Sequence, residues 1–90
     1  MTRKYRPISQ EVPSPTTLAN ATTVSDANVV RVINTAPTTT YLMTLLDASN
    51  SVVGTMTLGG GEIALLDKPK TYKVFCANAS VKLTSVSYPA

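Results

Sequence analysis

Ninety residues supply one core and no second, because a chain this short buries only about 60–65% of the surface its unfolded form exposes. Hydrophobic residues make up 43% and charged residues 14% of the chain, against roughly 25% charged in ordinary soluble domains, so hydroxyls carry much of the polarity. The net charge of +3 belongs to the start, where Arg3, Lys4 and Arg6 precede any acid and the remaining five bases and five acids cancel, which argues against a broad nucleic-acid-binding face.

Residues 1–17, MTRKYRPISQEVPSPTT, contain Pro7, Pro13 and Pro15 and few large apolar side chains. Proline removes an N–H and fixes φ near −65°, so this segment is expected to form neither a helix nor a central strand but an extended arm. Its anchors for a partner are the basic and aromatic group Arg3, Lys4, Tyr5 and Arg6 and the isolated apolar residues Ile8 and Val12. The start carries bases but no apolar h-region, so it does not read as a signal peptide, and no run approaches the ~18 apolar residues of a membrane span.

The domain proper is expected over residues 18–90. A first strand is placed at Leu18–Val24, with Ser25–Asn28 as the turn after it, and a second at Val29–Thr35, VVRVINT, rich in branched residues and stopped by Pro37. Tyr41–Leu46 is a nearly continuous apolar run and is expected to be a central strand. Val53–Leu58 alternates Thr with apolar residues, the mark of a half-solvated one. Asp47–Ser51 joins them with short polar side chains that bond their own backbone, giving a hairpin with an exposed turn and with Leu42, Leu45, Leu46 and Met56 buried.

Gly59-Gly60-Gly61 is then a permissive turn; it lacks the helix and the GK[ST] ending of a phosphate loop. Short strands follow at Glu62–Leu66 and Tyr72–Ala77, separated by a turn containing Pro69. The last begins at Val81, and the inward parity switches between Leu83 and Val86, so a bulge is expected near Ser85. Six or seven short strands punctuated by turns every eight to twelve residues indicate an all-β fold, a small antiparallel sandwich of the immunoglobulin or jelly-roll kind.

The residues that perform chemistry are scarce. There is no histidine and one cysteine, Cys76, so the commonest general base, zinc ligation and an internal disulfide are all missing, and a reducing cytoplasm is the expected place of folding. Cys76 lies in an apolar segment and reads as a small core residue. Glu11, Asp26, Asp47, Glu62 and Asp67 are scattered over turns and strand ends rather than clustered, the wrong pattern for calcium or for a carboxylate pair. Lys68, Lys70, Lys73 and Lys82 read as solvated turn and strand positions. Asn20-Ala21-Thr22 and Asn78-Ala79-Ser80 fit the glycosylation pattern without a secretory signal beside them. Neither catalytic residue, cofactor nor metal is expected.

The proline-bearing arm followed by VVRVINT, the LDASNSVVGT turn and the ending TYKVFCANASVKLTSVSYP resembles small virion structural proteins of tailed bacteriophages, especially phages of marine cyanobacteria. The resemblance covers about 75 residues and implies a non-enzymatic virion component made in the host bacterial cytoplasm. On that likeness the expected role is capsid decoration or cement, in many copies or as a homo-oligomer, with the major capsid protein or other virion proteins as partners and neither nucleic acid nor membrane. A neck, tail or fibre-attachment component is the alternative within the virion. From a different class, a soluble carbohydrate- or ligand-binding β module is the other.

Overall fold

The computed structural model describes residues 6–87; Arg3, Lys4 and Tyr5, three of the expected arm contacts, lie outside them. The described residues form eight strands: β1 (Arg6–Pro7), β2 (Val12–Pro13), β3 (Val29–Asn34), β4 (Tyr41–Leu46), β5 (Val52–Leu58), β6 (Ile63–Asp67), β7 (Lys73–Cys76) and β8 (Val81–Ser87). They build two antiparallel sheets. One runs β1-β8-β3-β6, with β2 on β8 beside β1; the other runs β5-β4-β7, and a single bridge from Thr22 to Val74 lies on the outer side of β7.

Between the sheets lies one core. β3 and β8 contribute Val30, Val32, Val81 and Leu83, while β4, β5 and β7 contribute Met43, Leu58, Val74 and Cys76; Val24 and Ala27 close one end. Burial of each aliphatic side chain of this size stabilises the fold by about 1.5–3 kcal/mol. Leu46 is also fully buried but outside that cluster.

The hairpin turn follows expectation. The Asp47 carboxylate accepts the N–H groups of Ser49 at 2.8 Å and Ser51 at 3.0 Å, and Asn50 adopts φ +66°, a left-handed conformation that Asn tolerates better than most. The glycine turn is permissive as expected at one glycine and demands close backbone approach at another. A Cβ on Gly60 would stand 2.6 Å from the Pro37 carbonyl oxygen and 2.8 Å from Thr38 Cα, both backbone atoms, and Gly61 has φ +74°. Asn34, buried at the end of β3, ties this turn down: its amide nitrogen donates to the carbonyls of Thr39, Leu58 and Gly59, and its oxygen accepts the Ala36 N–H.

Several expectations are corrected. Leu18–Val24 is not a strand: Leu18–Asn20 is one 3-10 turn, Thr22 makes one bridge, and Val24, Ser25 and Asp26 all have positive φ. The hydroxyls of Thr22 and Thr23 accept the N–H groups of Val24 and Asp26, a local side-chain alternative to a sheet ladder. Leu42 is 45% and Met56 41% exposed. Leu42 points away from the core, since the sheet has only one covered face; Met56 points inward but at an edge that none of the described residues covers. No bulge breaks β8, which pairs regularly with β3 through Ser85. The shift falls instead between Leu45 and Leu46 in the β4–β5 ladder, and the arm carries extra residues opposite Ser85.

Candidate interface

The two lateral seams of the sandwich differ, and the difference locates the candidate site. At the first seam the arm lies along its own β8. Pro7 pairs with Val86 and Val12 with Leu83, so the arm has two more residues than β8 between these points. That slack is taken up at Ser9, whose hydroxyl accepts the Ser85 N–H at 3.2 Å and meets the Ser85 hydroxyl at 2.6 Å, while Ile8 N–H donates to the Ser85 carbonyl.

Ser14 N–H then donates to Val81, and Pro15 accepts from Cys76 N–H, which carries the arm across from one sheet to the other. Because Ile8 and Ser14 point their N–H groups at β8, the alternating pattern directs Pro7 and Pro13 outward, where a further strand would need donors. This edge is blunted. Glu11 reaches Arg31 at 3.5 Å across a groove of about 420 Å³ lined by Pro7, Ser9, Thr84 and Val86. Such a partly exposed pair contributes at most about 1 kcal/mol.

At the second seam β5 and β6 are the outermost strands of their sheets. No charged residue lies between Asp47 and Glu62, and no proline. Every residue of β5 except Leu58 is exposed, Val52 by 59% and Val53 by 53%. Leu42 accepts from Ala77 N–H, so its backbone faces β7 and that of Met43 faces β5. Met43 pairs with Met56 and Leu45 with Gly54. The N–H and C=O groups of Thr55 and Thr57 therefore point away from β4, where none of the described residues pairs with them. An apolar groove of about 160 Å³, lined by Met43, Leu45, Gly54, Met56 and Leu66, opens beside them. A long, uncharged, unpaired edge of this kind is a template for another strand.

No family model, curated protein or solved structure matches this chain.

A third feature faces inward. Lys68 was expected to be solvated but is 3% exposed. Its ammonium donates to the carbonyls of Ala27 at 2.7 Å, Pro69 at 3.4 Å and Lys70 at 3.5 Å. Burial lowers its pKa, and the Asp26 carboxylate pulls it back up. The Ala27 carbonyl is presented by the left-handed run Val24–Asp26, whose first residue is a buried, branched valine at φ +53°. A β-branched residue there is strained and is held by its surroundings, so Lys68 locks a loop rather than serving as an exposed base. Burial likewise raises the pKa of the Cys76 thiol, with a hydrogen bond to Ser14 opposing, which leaves it a protonated core residue.

Of the expected arm contacts within the described residues, Arg6 is exposed, Ile8 is 59% exposed and Val12 40%; their backbones are used within the chain and their side chains face outward. The sequence did not single out Val52 or Ile63, and it placed Met56 in the core and Val53 on a half-solvated strand; all four are exposed apolar residues of the second seam. The signal for it was the long uncharged interval after Asp47. Among the described residues no group of three or more His, Cys, Asp or Glu is gathered to hold a metal, and no helix is long and apolar enough to cross a membrane.

Proposed function

We propose that this chain is a non-enzymatic structural component of a virion, a decoration or cement protein that joins the major capsid protein of an assembled shell through its arm and its sheet edges. The observation that carries an assembly role is the uncharged, unpaired edge of β5, which a protein acting alone would ordinarily blunt. The virion setting rests on the resemblance of the arm and the VVRVINT, LDASNSVVGT and TYKVFCANASVKLTSVSYP segments to phage structural proteins.

The strand order agrees with a jelly roll rather than an immunoglobulin sandwich. With β1 and β2 counted as one interrupted strand and the Thr22 bridge as the next, the sheets interleave as two Greek keys, an architecture found in viral capsid and lectin domains alike. Fold alone does not choose between those uses.

The test is co-purification with assembled particles. Hundreds of copies per particle are expected, and Ile8→Asp with Val12→Asp should remove the chain from particles while its thermal midpoint stays unchanged. About a dozen copies would move it to the neck or tail. A chain missing from purified particles altogether overturns the proposal.

A further inference from the structure

We propose that the occupant of the open seam is a second copy of this chain, with β5 pairing antiparallel to β5 of the partner about a two-fold axis at Thr55. This rests on the reading of the domain as an assembly module, not on the virion setting. Three observations select self-pairing and fix its register.

The first is backbone complementarity. Thr55 turns its N–H and C=O away from β4, so Thr55 of each copy can exchange both hydrogen bonds with the other, and a strand meeting its own copy about a two-fold satisfies donors and acceptors reciprocally.

Shape provides the second. In this register Met56 of one copy stands directly opposite Gly54 of the other, in a close, non-hydrogen-bonded pair. Gly54 has nothing within 4 Å of the position its Cβ would occupy and helps to line the apolar groove with Met43, Leu45 and Leu66. Met56 is the large, flexible side chain beside that space, of the type that fills irregular apolar gaps. One strand thus provides both the knob and the hole, and the two-fold uses each twice. An axis at Met56 would set the two methionines against each other and oppose Gly54 with Leu58, which is already buried in its own core.

The third is charge. With none between Asp47 and Glu62, two copies meet along β5 without like charges opposed. On the outer face the register pairs Thr55 with Thr55 and Val53 with Thr57, branched pairs that favour sheets.

Sedimentation velocity from about 1 μM to 1 mM covers the range of a small, edge-to-edge interface. The wild-type chain is expected to form dimers and no larger species, because the pairing closes on itself. Two variants separate edge from fold. Thr55→Lys places a charge on the two-fold and should weaken dimerisation at least tenfold. Gly54→Val fills open space in the monomer, at a residue whose φ is not in the left-handed region, so its thermal midpoint should be unchanged or higher while dimerisation weakens at least tenfold.

A monomer at every concentration overturns the proposal, as does a dimer that both variants leave intact. Loss in Thr55→Lys alone overturns the register. A dimer that is absent from particles breaks the virion reading only; a monomer found on particles breaks this inference only.

Discussion

The two seams of this sandwich solve the same problem in opposite ways. Both end in strands whose outer backbone groups could pair with a neighbour. At the β8 seam the chain spends a ten-residue stretch on closure: residues 6–15 cover the edge, turn Pro7 and Pro13 outward, and cross to the second sheet at Cys76. Along β5 there is neither proline nor charge, and none of the described residues covers its outer edge. A chain that blunts one edge so thoroughly has the means to blunt the other, and the contrast teaches that exposure at β5 is a property of the design rather than a shortage of material.

Removing the closure gives the largest expected effect. Deleting residues 2–15 strips the Ile8–Ser85, Ser14–Val81 and Cys76–Pro15 backbone bonds, the β1 and β2 ladders and the Ser9–Ser85 hydroxyl contact. At about 1 kcal/mol net for each bond, a loss of roughly 3–5 kcal/mol is expected in urea unfolding, together with aggregation through bare β8. A truncated domain as stable as the whole would show that the arm is an accessory to the fold.

A gentler change converts one seam toward the other. Pro7→Thr with Pro13→Thr adds two outward N–H donors while leaving the bonds of Ile8 and Ser14 to β8 in place. Stability should move by less than about 1 kcal/mol, but self-association should now persist in a Thr55→Lys background. If that triple variant stays monomeric, the prolines are not what closes the arm edge.

The smallest effect is in pH. Burial holds the Lys68 pKa below its ordinary 10.5, so the unfolded chain binds this proton more tightly and stability rises as pH climbs through the lowered folded value. Cys76 runs the other way: its folded pKa stands above the ordinary 9.0, so stability is lost as pH rises from there through the folded value. The two slopes oppose each other in the alkaline range. Thermal midpoints of Cys76→Ala should therefore rise with alkaline pH relative to the parent, and those of Lys68→Met should fall. Parallel curves for all three proteins would remove both groups as determinants.

Much of the fold was legible because branched and aromatic runs mark strands locally. VVRVIN, YLMTLL, KVFC and the run from Val81 all formed where their composition placed them, and Asp47–Ser51 turned as its side chains dictate. What was not legible depends on which face meets what. The apolar run of β4 could not reveal that its sheet has one covered face, leaving Leu42 outside. LANATTV has the Thr and Val of a strand, yet its threonines cap a left-handed turn. Lys68 is buried because Ala27 and Lys70 bring carbonyls to it, a convergence with no sequence signature. The arm's anchors were visible as isolated apolar residues, but that its backbone completes the chain's own sheet depends on β8, about seventy to eighty residues away along the chain.

That last pairing has a temporal side. Arg6 finds its partner in Ser87, so the segment made early on the ribosome waits for one made late, and closing so long a loop is entropically costly and slow. Until then β8 is as bare as β5. A nascent or refolding population therefore passes through a period in which both seams are adhesive, and the yield of correctly assembled protein depends on whether the arm docks before another molecule does.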